Sequence, residues 1–228
     1  MVESDFYNEA VPIEFTRALL AQARAHQRDV QKILQAASFP FDPLTQNAQT
    51  VFVSREQYSR LALELIRELG DESGGVMPDV QTPVGTTRLI GYSMLNSANL
   101  SAALKRGIEF QAWCRVRHGA DVINRFEVDE QRKEAVLAYH CDDDPAQSQH
   151  SVLCNLAMWM RFCGWLIGQH IDITSAACAG PRPAFTAGVR HFFPCPVTFD
   201  QPLNSVTFSA RHLEAELVRD EDDLREFL

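Results

Sequence analysis

The chain has 228 residues, 46% of them apolar, and a formal net charge of −9. A chain of this length and apolar content buries a real core and is not disordered, and its acidity excludes a phosphate-binding surface unless the basic residues cluster. They do not: the densest basic set, "RVRH" at 115–118, is small and reads equally as a solvated helix end.

The first residues, "MVESDFYNEAVPIEF", have no basic start followed by an apolar stretch, so no secretory signal is expected and the cytoplasm is the expected compartment. Residues 12–26 read as a first helix, with Pro12 near its start and Phe15, Leu19 and Leu20 as apolar contacts. A second short helix follows at 28–37 and ends before "SFPFDP". The third is the most sharply patterned. Ser54 and Gln57 fit a capping box; Tyr58, Leu61, Ala62, Leu65, Ile66 and Leu69 then fall on one face, and Gly70 closes the helix. The polar stretch 70–85 reads as a loop. Two helices come next, over 85–96 and from an N-cap at Asn99 to 116.

There the period changes. "NRFEVDEQRKEAVLAYHCD" at 124–142 alternates about a polar turn at 129–133 and predicts a β-hairpin. The acidic loop "DDDPAQSQH" leads to a helix at 151–168. That helix is apolar nearly all round and expected at the centre, although Asn155 and Arg161 interrupt it and it is short for a membrane span. A strand at 171–180, a short helix at 183–193 and a last hairpin built on Val197, Phe199, Val206 and Phe208 complete the reading. The fold class is α+β: N-terminal helices packed with a mostly antiparallel sheet of order β-β-α-β-α-β-β along the chain. A single domain over 1–228 is expected, its helical part about 11–117 and its sheet part about 120–217.

The sequence offers little catalytic chemistry. "HCDDD" at 140–144 could be a metal site, but adjacent Asp side chains diverge and the spacing of a calcium loop is missing, so a solvated loop before a helix is the plainer reading. The seven histidines carry no zinc or covalent-haem motif; a haem held by one histidine stays open as an alternative. No G-x-S-x-G elbow and no phosphate loop occur, and the six cysteines form no C-x-x-C pair, which fits free, buried thiols. No catalytic, metal or cofactor residue is therefore assigned. The aromatic residues Tyr92, Phe110, Trp113 and Trp159 lie on three helices expected to meet around the sheet; they either fill the core or wall a ligand pocket. "SARHLEAEL" at 209–217 resembles a DNA-reading helix, but it is acidic and follows directly on a strand, so it is not expected to read DNA.

Four segments carry a family resemblance: "VSREQYSRLALELIRELGDESGG", "GTTRLIGYSMLNSANLSAALKRGIEF", "FFPCPVTFDQPLNSVTF" and "VRDEDDLREFL". In order and register, from about residue 11 to 228, they resemble the N-terminal effector-binding, arabinose-binding-type domain of AraC-type transcription regulators. The resemblance implies a non-enzymatic sensor of a small effector that forms a homodimer. The aromatic and Met-rich helices make that effector apolar or amphiphilic rather than a sugar, and the helices at 12–37, which precede the well-patterned core, are the candidate dimer surface. DNA is then contacted only through a C-terminal helix-turn-helix domain absent from this chain, and no membrane is involved. A dimerisation module without a ligand, and a haem- or metal-binding sensor, are the alternatives.

Overall fold

The computed structural model describes residues 10–45, 52–75, 81–115, 124–139, 145–182, 189 and 192–227. The chain divides into two compact units: Met1–Val84 with Ala184–His191, and Gly85–Pro183 with Phe192–Leu228.

In the first unit a three-residue strand, β1 (Ala10–Pro12), runs straight into α1 (Ile13–Ala25). Its partner β2 (Phe52–Ser54) runs likewise into α3 (Arg55–Leu69), and the two strands pair antiparallel with Val11 opposite Val53. Between them α2 (Val30–Ala36) is started by Asp29, whose carboxylate accepts from the Gln31 and Lys32 amides. The capping box read from the sequence is present: Ser54 Oγ accepts from the Gln57 amide at 3.1 Å, and Gln57 Oε1 accepts from the Ser54 amide at 2.9 Å. Gly70 ends α3 in the left-handed conformation, φ +67°, which costs glycine nothing. Leu20, Ala23, Ile33, Leu34, Leu61 and Leu65 close the core between the three helices.

The second unit opens with α4 (Thr86–Leu95) and α5 (Leu100–Arg115). Asn99 caps α5 as its spacing predicts, its Oδ1 accepting from the Ala102 amide at 3.0 Å. The hairpin β3 (Asn124–Asp129) and β4 (Glu134–Tyr139) follows in the expected place. Helix α6 (Pro145–Ile167) begins earlier than the 151 expected, within the polar run; Pro145 at its first position lacks an N–H where a helix needs none. Then come β5 (Ile173–Ala177), β6 (Val197–Thr198), β7 (Asn204–Ser209), a five-residue 3-10 turn at Ala210–Glu214 and α7 (Glu221–Phe227). The short helix expected at 183–193 lies almost wholly outside the described residues.

The last two strands depart from the expected hairpin. The sheet order is β3-β4-β7-β5-β6: β7 pairs antiparallel with β4 on one side and β5 on the other, and β6 pairs parallel with β5. The Pro- and Asn-containing stretch is thus a crossing over the end of β5 rather than a tight turn, held by Asp200 N–H to the Gly180 carbonyl at 3.0 Å and Gln201 N–H to the Cys178 carbonyl at 2.9 Å. The alternation of Val206 and Phe208 identified a strand; it carried no information on which edge the strand would fill. "SARHLEAEL" forms only the 3-10 turn and then extends. The mostly antiparallel α+β architecture matches the sequence reading. No helix among the described residues is long and apolar enough to cross a membrane.

Candidate functional site

One face of the second unit's sheet is buried. Phe126, Leu137, Val206 and Ala176 form one cross-strand row, and Ala135 and Phe208 belong to the next. At one end of that face the row turns polar: Asn124 lies opposite Tyr139, and Tyr139 opposite Asn204. All three are buried. Asn204 is satisfied, its Oδ1 accepting from the Ala179 amide at 2.9 Å. Asn124, 2% exposed, donates through Nδ2 to Oε1 of Gln111 on α5, which is itself 5% exposed. Its own Oδ1 has no partner.

Two further polar atoms are orphaned on α6. Trp159 is 3% exposed and its indole Nε1–H meets no acceptor; Asn155 Oδ1, one turn earlier on the same helix face, meets no donor. The Trp159 ring reaches α5 at Gly107. A Cβ placed there would lie 3.2 Å from Trp159 Cη2 and 2.5 Å from the Met94 sulfur of α4, so a side chain at 107 would displace the Met94 side chain and push the indole back by a few tenths of an ångström. Gln111 lies one turn from Gly107 on α5, and Asn155 one turn from Trp159 on α6. Asn124 Oδ1, Asn155 Oδ1 and Trp159 Nε1 are thus buried with nothing to bond.

Leaving a buried polar group unpaired costs about 1–3 kcal/mol each, and native proteins rarely tolerate it without a reason. Cys163, one turn beyond Trp159 on α6, is fully buried, and burial pushes its thiol up to about 12; Cys178 is pushed to about 11. Neither supplies a thiolate near neutral pH. His212, in the 3-10 turn, is held below the usual histidine range by burial and by neighbouring Arg211, against an opposing pull from Asp172. Among the described residues no group of three or more His, Cys, Asp or Glu side chains could hold a metal ion.

Of the four aromatic residues expected around a pocket, Trp159 stands at the α5–α6 contact. Phe110 is half-buried on α5, three residues beyond Gly107. Tyr92 is half-buried on α4, with the Arg225 guanidinium of α7 beside its hydroxyl. Trp113 is 70% exposed, on the solvent side of the last turn of α5. The sequence reading did not assign Gln111, Asn124 or Asn155. Their signal was phase: Asn124 stands two residues before Phe126 in an alternating strand, and Gln111 keeps the inward spacing of Leu100 and Leu104.

Residues 28–217 match the family described as the arabinose-binding domain of AraC transcription regulators, N-terminal. No curated protein matches the chain. Among solved structures, the transcriptional regulator CdpR from Pseudomonas aeruginosa is similar at 12% identity and a TM-score of 0.43, over 98% of this chain and 61% of that one. The chain thus spans about three fifths of that regulator's length. The family match covers most of the sequence, including every element that builds the polar end of the sheet, and the chain belongs to the N-terminal arabinose-binding-type domains of AraC transcription regulators.

Proposed function

We propose that the second unit is the sensor of an AraC-type regulator, binding a small apolar or amphiphilic effector at the α5–α6 contact. Trp159, Phe110 and Tyr92 supply apolar wall and Trp113 the solvent rim. The observation that carries this reading is that Asn124 Oδ1, Asn155 Oδ1 and Trp159 Nε1 of this unit are buried without partners. In the parent regulator the domain acts in the cytoplasm as a homodimer and controls a C-terminal helix-turn-helix domain that contacts DNA. The acidity of this chain supports leaving DNA to that other domain.

Native mass spectrometry of the purified chain tests the site. The expected result is an added small-molecule mass that is released on denaturation and is absent from the Asn155→Leu variant. The same variant in the full-length regulator is expected to keep promoter binding and lose the effector response. A bare protein mass together with a normal response in Asn155→Leu would leave the domain a dimerisation module without a ligand. Light scattering reads the dimer directly.

A further inference from the structure

The two edges of the second unit's sheet are built differently. At one edge β6 is two residues long and follows Pro194 and Pro196, neither of which can donate to a neighbouring strand. Short strands and prolines are the ordinary means of keeping an edge from pairing with another chain. At the other edge β3, "NRFEVD", has no proline or glycine and keeps register with β4 from Asn124 to Asp129 without a bulge. Among the described residues β4 is its only neighbour in the sheet. Arg125, Glu127, Val128 and Asp129 are exposed along it. Every second residue of such a strand turns its N–H and C=O away from its one partner.

We propose that β3 is a homodimer interface. The β3 of a second copy pairs with it antiparallel, about a two-fold axis at Phe126, and joins the two sheets edge to edge. This inference rests on the homodimer reading above and gives it a surface; it does not depend on the effector site.

The side chains choose the register. Successive side chains point to opposite faces, so Arg125, Glu127 and Asp129 share one face of the strand and Phe126 and Val128 the other. Arg125 Nη1 already lies 4.0 Å from Glu127 Oε1 on the shared face. With Phe126 opposite its own copy, Arg125 falls opposite Glu127 of the second copy, once on each side of the axis. Both ion pairs lie on the exposed face. On the other face half-buried Phe126 meets its copy, and Val128, 37% exposed, gains a neighbour at Asn124. An axis one residue later sets Glu127 against itself, and one residue earlier sets Arg125 against itself; like charges directly opposed are destabilising. Charges of one sign would blunt this edge against a second copy. Arg and Glu in alternation make it complementary to itself, as a two-fold interface requires.

The test is sedimentation equilibrium of the full chain with two variants, Arg125→Glu and Glu127→Arg. Both side chains are 68% exposed, so each variant is expected to keep cooperative urea unfolding. The wild type is expected to dimerise. Each single variant turns both ion pairs into like-charge pairs and should raise the dissociation constant about ten-fold or more. An equimolar mixture of the two variants should recover the dimer, because every Glu of one chain then faces an Arg of the other. Two chains that had merely misfolded would not recover it. A wild type that stays at the monomer mass at high micromolar concentration overturns the homodimer reading and this surface together. A dimer that neither variant weakens overturns this surface alone and returns the interface to another face, such as the helices at 12–37. Weakening without recovery in the mixture overturns the two-fold pairing.

Discussion

Asp71 in the first unit and Trp159 in the second are buried to the same degree, each 3% exposed, yet their surroundings treat them differently. Asp71 accepts four hydrogen bonds: from the Ser73 amide at 2.9 Å and hydroxyl at 2.5 Å, the Gly75 amide at 3.1 Å and the Thr82 amide at 2.8 Å. All four donors belong to the loop that Asp71 begins, so the carboxylate gathers its own segment. The Gly75 carbonyl is pinned in turn by His26 Nε2 at 2.7 Å. Trp159 on α6 meets Gly107 of α5, remote in sequence, and its indole N–H has no acceptor. A polar group buried to hold a fold can be saturated locally by backbone. On the function proposed above, one buried to hold a second molecule has partners that arrive only with it.

The largest way to break this comparison is at Asp71. Asp71→Ala removes the shared acceptor of the Ser73, Gly75 and Thr82 amides, of which Gly75 and Thr82 are buried residues. The expected loss is about 3–5 kcal/mol of stability, read as a fall in the urea midpoint. Asp71→Asn keeps an acceptor and should lose less. A loss under about 1 kcal/mol in Asp71→Ala would mean that the loop does not depend on this centre.

A smaller effect is expected at the unsaturated centre. Trp159→Phe removes the orphaned N–H along with part of the ring. The small void costs stability, and the loss of an unpaired buried donor returns some, so the unliganded chain should stay within about 1 kcal/mol of the wild type. The sharper reading is the contrast: in the presence of a small neutral amphiphile such as hexanol, the gap between wild type and Trp159→Phe should widen, because only the wild type offers the indole N–H to its acceptor. Chemical denaturation with and without the probe measures both. A loss of about 3 kcal/mol without any ligand would make Trp159 a packing residue first.

The same distinction decides what could be read from the sequence. Local signals were legible. The Ser54–Gln57 box, the Asn99 cap, the Gly70 stop and the β3–β4 alternation are each set by residues within a few positions of one another, and each is where its pattern predicted. Strand pairing at the far end was not legible, because β6 and β7 are separated in the sheet by β5, and nothing in an alternating run names its neighbour. Strands β1 and β2 were missed because three residues are too short for a period to show. The site divides in the same way. Trp159 stood out in its apolar helix, and Asn155 was visible as a polar interruption of it. That Asn155 Oδ1 is unpaired depends on what the elements around it fail to supply, which no spacing within α6 encodes. Trp113 has the spacing of a wall residue but sits where α5 leaves the layer.

The smallest expected effect tests whether saturation, rather than mere burial, is what separates the two centres. Thr82 belongs to the Asp71 loop, and its amide is one of the four donors. Its hydroxyl is buried and has no partner. The saturated centre therefore contains one orphan of its own, of a kind unlike those at Trp159: a single hydroxyl on a short side chain whose job is done by its backbone. Thr82→Val keeps the shape and the amide and removes only that hydroxyl. Because the hydroxyl gains nothing from its site, the variant should lie within about 0.5 kcal/mol of the wild type, or slightly above it. It should bind hexanol unchanged, since the residue takes no part in the α5–α6 contact. Equilibrium denaturation resolves the sign. A loss of 1 kcal/mol or more would show that the hydroxyl is satisfied in solution. The orphaned atoms around Trp159 would then have to be re-measured by the same kind of substitution, with Asn124→Leu as the first, before their lack of partners could be taken as the mark of a ligand.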